Sequence, residues 1–166
     1  MTVGNRLQMD PMTAEELEAF IPYSRATYIG DRVTNGGEDR RDAEEVAAKQ
    51  MAAFFPAGAP AEGHCLFTGR DATTVERIGV LWLFERKSTA GTSVFIYDVE
   101  VDEDQRKQGW GRELMTYAEQ WAAERGAYEI ALNVFGGNTV ARGLYVSLGY
   151  REQSVAMAKS LKPLTS

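Results

Sequence analysis

A chain with one cysteine, Cys65, and one histidine, His64, can form no internal disulfide and cannot supply the three or four nitrogen and sulfur ligands of the common zinc sites. These two residues adjoin on a predicted strand, so their side chains point to opposite faces and cannot form a nucleophile–base dyad. No apolar run is long enough to span a bilayer and no signal-peptide-like segment is seen, so the expected location is a reducing cytoplasm without a membrane partner. Positive charge is scarce: 18 Lys and Arg stand against 24 Asp and Glu, for a net charge of −6. That balance argues against a nucleic-acid partner and favours cationic acceptors. The acidic run from Asp98 to Asp104 lacks the glycine-punctuated spacing of a calcium loop, so it reads as solvated charge and no metal is expected.

What is present is 44% hydrophobic content over 166 residues, enough for a single domain, 1–166, with a well-buried core. Arg6 to Met9 reads as a first strand. Thr13-Ala-Glu-Glu16 is a capping-box signature opening a helix that Pro22 is expected to bend or end. A polar, glycine-rich loop follows from Gly30 to Glu38, then a second helix from Asp42 to Phe55 presenting Val46, Gln50 and Phe54. Strands are expected at His64 to Thr68, Val75 to Phe84 and Val94 to Val101, the last two as an antiparallel hairpin, with another at Glu129 to Phe135 and a final hairpin between Tyr150 and Leu161. Trp82, Trp110 and Trp121 read as packing residues.

The most informative stretch runs from Tyr97 to Arg112. An alternating apolar run of Phe95, Tyr97, Val99 and Val101 is a strand, and the spacing of Leu114, Ala118, Trp121 and Ala122 is an amphipathic helix. Between them, Gly109 and Gly111 let backbone N–H groups converge where the helix begins. The free donors and partial positive charge of a helix N-terminus stabilise an anion there, with Arg106, Lys107 and Arg112 adding full charges. The spacing Arg106-x-x-Gly109-x-Gly111 matches neither the dinucleotide fingerprint nor the nucleotide-triphosphate loop, and a pyrophosphate fits it better. A second segment, Asn138 to Tyr150, reads as a short helix with Asn138 near its N-cap and Gly149 as its stop. Val140, Leu144 and Leu148 form its expected core stripe, while Asn138, Ala141 and Tyr145 line another face.

Together, Arg106-Lys-Gln-Gly109-Trp-Gly111 and Asn138-Thr-Val-Ala141-Arg-Gly-Leu144-Tyr145-Val-Ser-Leu-Gly149-Tyr150 resemble the two signatures of the GNAT superfamily of acyl-CoA-dependent N-acetyltransferases. The likeness is specific from about Ile78 to Leu161. It implies an α/β fold with a mixed, mostly antiparallel central sheet of about seven strands flanked by four helices. It also implies acetyl-CoA as cosubstrate, held by Gln108, Gly109, Trp110, Gly111 and Arg112 at its pyrophosphate, by the backbone of Val99 to Val101 along its pantetheine arm, and by Asn138. Tyr145 would give its proton to the departing thiolate, and homodimers are common in the superfamily. In many relatives the base stands at the position of Tyr97 or Phe95, and in ribosomal-protein N-terminal acetyltransferases a Glu stands at that of Asn133; this chain has no carboxylate at any of the three.

Acetyl transfer to an amine needs a neutral nucleophile. A lysine with a pKa of about 10.4 costs roughly 4.6 kcal/mol to deprotonate at pH 7, and an α-amine near 8 only about 1.4 kcal/mol. Asp98 and Glu100 are the candidate bases, because alternation places both on one strand face where burial and mutual repulsion raise their pKa values. The same pair could instead bind a cationic substrate or answer a buried arginine. The expected activity is therefore transfer of an acetyl group to a primary amine of a peptide, lysine or small molecule. The alternatives are a non-catalytic acyl-CoA-binding module and a transferase using another short acyl-CoA.

Overall fold

The computed structural model describes residues 6–159 and 161. Strand β1 (Leu7–Pro11) is followed by helices α1 (Ala14–Thr34) and α2 (Arg40–Phe54), a 3-10 turn at Pro56–Gly58, and strands β2 (His64–Asp71), β3 (Arg77–Ser88) and β4 (Gly91–Val101). Helix α3 (Trp110–Glu124), strand β5 (Glu129–Leu132) and helix α4 (Thr139–Ser147) complete the order. The sheet runs β1-β2-β3-β4-β5, with antiparallel pairing through β4 and a parallel β4–β5 edge.

Each face of the sheet is covered for a reason visible in the pattern. Leu81, Leu83, Val94 and Ile96 turn toward α3 and pack with its Met115, Ala118, Trp121 and Ala122, which recur at helical spacing. Leu66, Val80 and Trp82 turn the other way, against Phe20 of α1 and Met51 and Phe55 at the end of α2. The Trp82 indole N–H donates to His64 Nδ1 at 3.0 Å, and burial lowers the His64 pKa, so a neutral imidazole serves as the acceptor. Cys65 packs toward the α3 side, opposite His64.

The mixed sheet with four helices is present, but the strand count differs from expectation: five strands form among the described residues. The hairpin expected from Tyr150 to Leu161 does not form over residues 151–159, while residue 160 lies outside the described residues. Val155 and Met157 there are exposed, and their polar and small neighbours give the segment little apolar surface with which to hold a sheet edge. Pro22 does not end α1. The capping box of Thr13 and Glu16 starts the helix, and buried Phe20 and Ile29 hold it to the core on either side of the one hydrogen bond that proline removes. The helix consequently consumes Gly30 and the residues after it, leaving 35–39 as the connection. In α2 the buried face is Ala43, Ala47 and Met51, with Val46 and Gln50 at its flank. Val75 sits in a turn at φ 65° rather than in a strand.

Candidate active site

Opposite Trp82 and Leu83, β4 carries one extra residue: Trp82 pairs with Asp98 and Leu83 with Ile96, leaving Tyr97 as a β-bulge. The bulge breaks the simple alternation expected of Phe95, Tyr97, Val99 and Val101. Tyr97 stacks on Trp82 at 5.0 Å and meets Phe95 at 5.0 Å, whereas Val99 packs toward the α3 side. Parallel pairing with β5 stops at Ile96–Leu132, so beyond the bulge no described strand pairs with β4 on its β5 side. Val99 and Val101 thus lie on a stretch of β4 that no described strand flanks on that side, which suits an extended chain able to hydrogen-bond to a strand edge.

Asp98 and Glu100 share the α1 side of the sheet, but their surroundings differ. Glu100 accepts a hydrogen bond from the Tyr23 hydroxyl at 2.5 Å and faces a groove of about 730 Å3 beside α1. The Asp98 carboxyl is pushed up to about 7, first by burial and then by the negative charges of Glu100 and Asp31, against a backbone hydrogen bond at Val99. Tyr145, reaching in from α4, is pushed above the ordinary phenol value by burial first and by Asp98 second. Burial is the first cause of the shift at both the Asp98 carboxyl and the Tyr145 phenol.

The turn after β4 has the backbone of an anion cradle. Lys107 and Gly109 both have positive φ, 61° and 86°, and Gly109 caps α3 with no side-chain hydrogen bond to the first-turn amides. A Cβ on Gly111 would meet Leu144 Cδ2 at 3.3 Å, so a glycine there allows α4 to lie close to the cradle. These open donors fit a pyrophosphate. The flanking guanidinium groups are more engaged than expected: Arg106 Nε donates to the Val101 carbonyl at 3.2 Å, and Arg112 Nη2 donates to Ser147 Oγ at 2.7 Å. The Lys107 and Gln108 side chains are exposed, while Trp110 is buried beneath the turn.

Asn138 is the N-cap of α4, accepting from the Ala141 N–H at 3.2 Å. The expected stripe of α4 is only partly realised. Leu144 and Leu148 pack on the core, but Val140 is 86% exposed, because the helix meets its neighbours through its second half. Among the described residues, no group of three or more His, Cys, Asp or Glu converges on a point, and no helix is long and apolar enough to cross a membrane.

One residue escaped the reading of the sequence. Arg6, just before β1, lays its guanidinium 3.9 Å from the centre of the Trp110 ring, donates from Nη2 to the Gln108 carbonyl at 2.8 Å, and pairs through Nε with Glu113 at 3.0 Å. It lies more than one hundred positions from its partners in the chain, so no local spacing could have signalled it.

The chain is similar to known proteins in sequence and in fold. The family model described as acetyltransferase (GNAT) family matches residues 31–150. The chain is 26% identical over 155 residues to the uncharacterized N-acetyltransferase YycN of Bacillus subtilis, covering 93% of this chain and 99% of the relative. It is 29% identical over 153 residues to the uncharacterized N-acetyltransferase YdgE of the same organism, covering 92% and 97%. The crystal structure of YycN superposes with a TM-score of 0.84 at 27% identity, covering 94% of this chain and 99% of that one.

Proposed function

The chain belongs to the acetyltransferase (GNAT) family, and from that membership we infer that it transfers the acetyl group of acetyl-CoA to a primary amine by direct attack. The observation that carries this reading is the edge of β4 left without a strand partner beyond the Tyr97 bulge, running into the glycine turn at the N-terminus of α3. Acetyl-CoA supplies an activated thioester. The amides of Gly109 to Gly111 hold its pyrophosphate, and the free edge from Val99 to Val101 aligns its pantetheine arm and offers an N–H to the charge developing on the thioester oxygen.

Asp98 is the base. A carboxylate with a pKa of about 7 is substantially ionised at neutral pH and basic enough to take a proton from an arriving ammonium. Glu100, fixed by Tyr23, adds the negative field that draws a cationic acceptor into the α1 groove. Tyr145 gives its proton to the departing thiolate, and the second proton that the nitrogen loses as the amide forms restores the phenol, while the first leaves Asp98 to solvent. Burial first, and the charge of Asp98 second, hold the phenol above its ordinary value, and protonation of Asp98 removes the second of these.

Coenzyme thiol release measured with acetyl-CoA and a panel of primary amines tests the reading. Acceptor-dependent release is expected. Tight acetyl-CoA binding with no release for any amine would favour the non-catalytic module instead.

A further inference from the structure

Helices α1 and α2 cover the Leu66, Val80 and Trp82 part of their sheet face, and the cover reaches its limit at Phe54, whose ring lies 4.9 Å from that of Tyr97. Beyond it, Phe84 and Arg86 on β3, Phe95 and Tyr97 on β4, and Glu129 and Ala131 on β5 line a cavity of about 260 Å3. The register explains the grouping: Phe84 is opposite Phe95, and Phe95 is opposite Ala131. The rings are tilted rather than coplanar, with Phe95 and Tyr97 at 67° and Phe84 and Tyr97 at 65°, so they form walls. Tyr97 remains 39% exposed despite its five aromatic neighbours.

Whole-ligand sites usually measure roughly 300–1,000 Å3, so this cavity suits one side group rather than a complete molecule. The bulge sets it beside the reacting centre. Tyr97 forms one of its walls, and the next residue, about 3.8 Å on along the chain, is Asp98. An acceptor whose amine meets Asp98 therefore has an apolar wall immediately to one side, with the two carboxylates complementing its positive charge.

Resting on the transferase reading above, we propose that the Phe84–Phe95–Tyr97 cavity is an acceptor subsite, selecting primary amines that carry an aromatic ring two or three bonds from the reacting nitrogen. Burying the ring there binds the non-reacting part of the acceptor and holds its nitrogen at Asp98, so the preference should appear in kcat/KM.

The test compares 2-phenylethylamine with butylamine, by coenzyme thiol release and by calorimetric binding to the full-length protein. A preference for the aromatic amine of at least about tenfold is expected. Phe95→Ala should erase it, read as the ratio of kcat/KM for the two amines. Phe95→Leu, a milder change whose folding is checked by thermal melting, should reduce it. Equal kcat/KM for the two amines, or a preference that survives Phe95→Ala, would overturn the subsite and leave the transferase reading intact. Preferential binding of 2-phenylethylamine with no thiol release from any amine would overturn the transferase reading and, with it, the cavity's role as an acceptor subsite.

Discussion

Arg6 Nη2 donates to the Gln108 carbonyl at 2.8 Å, and because the peptide unit is planar and trans, this fixes the direction of the Gly109 N–H on the far side of the same plane. The guanidinium is itself held by the Trp110 ring and the Glu113 carboxylate. A residue at the start of the chain thereby orients an amide of the proposed pyrophosphate cradle.

Removing that brace should cost affinity for the coenzyme and little else. Arg6→Ala is expected to raise the KM for acetyl-CoA by roughly tenfold, the scale of one charge-assisted hydrogen bond, with the acceptor KM unchanged. Arg6→Lys should recover only part of it, since an ammonium lacks the planar fork that engages Gln108 and Glu113 together. Calorimetric titration with acetyl-CoA checks this, and an unaltered affinity in Arg6→Ala would refute the orienting role.

The cradle and the α4 signature were legible in the sequence because each depends on a few residues at short spacing: a glycine that must take positive φ at 109, a glycine that must lie close to Leu144 at 111, an N-cap at 138. The two-faced core was legible for the same reason. The long-range features were not. The bulge at Tyr97 depends on pairing with β3, and the brace from Arg6 depends on β1 ending up beside α3. The persistence of α1 through Pro22 depends on tertiary burial of Phe20 and Ile29 outweighing a local penalty. Asp98 and Glu100 were found together by alternation, but only the assembled fold separates them, one raised first by burial and the other tied to Tyr23.

That separation gives Asp98 a pH signature. If it is the base, kcat/KM should fall as pH drops below about 7, following protonation of Asp98. Asp98→Asn should remove this acidic limb and lower turnover by roughly 100-fold or more. A rate profile in which the limb persists in Asp98→Asn would assign it to another group.

Stability should move the other way. The folded pKa of Asp98 lies above its ordinary value of 3.8, so the fold disfavours the charged form. Below pH 3.8 both folded and unfolded chains hold the proton and there is no penalty. As pH rises from there toward about 7 the unfolded chain ionises first, and the penalty grows to a plateau of at most about 4 kcal/mol. Asp98→Asn should therefore raise the melting temperature at pH 8 and give little gain near pH 4. Equal gains at both values would show that burial does not penalise the carboxylate.

Tyr145 and Gly109 can be separated by which constant each one moves. Tyr145→Phe keeps the ring that packs on the core and removes only the hydroxyl, so turnover should fall by roughly 100-fold while acetyl-CoA affinity stays close to that of the parent. Gly109→Val should do the reverse. At φ 86° a β-branched residue is strained, and its Cβ would come within 3.2 Å of Arg6 Nη2, displacing the group that orients the cradle. Acetyl-CoA binding should be lost in Gly109→Val even where thermal melting shows a folded protein, and normal calorimetric affinity in that variant would mean the anion is held somewhere other than the N-terminus of α3.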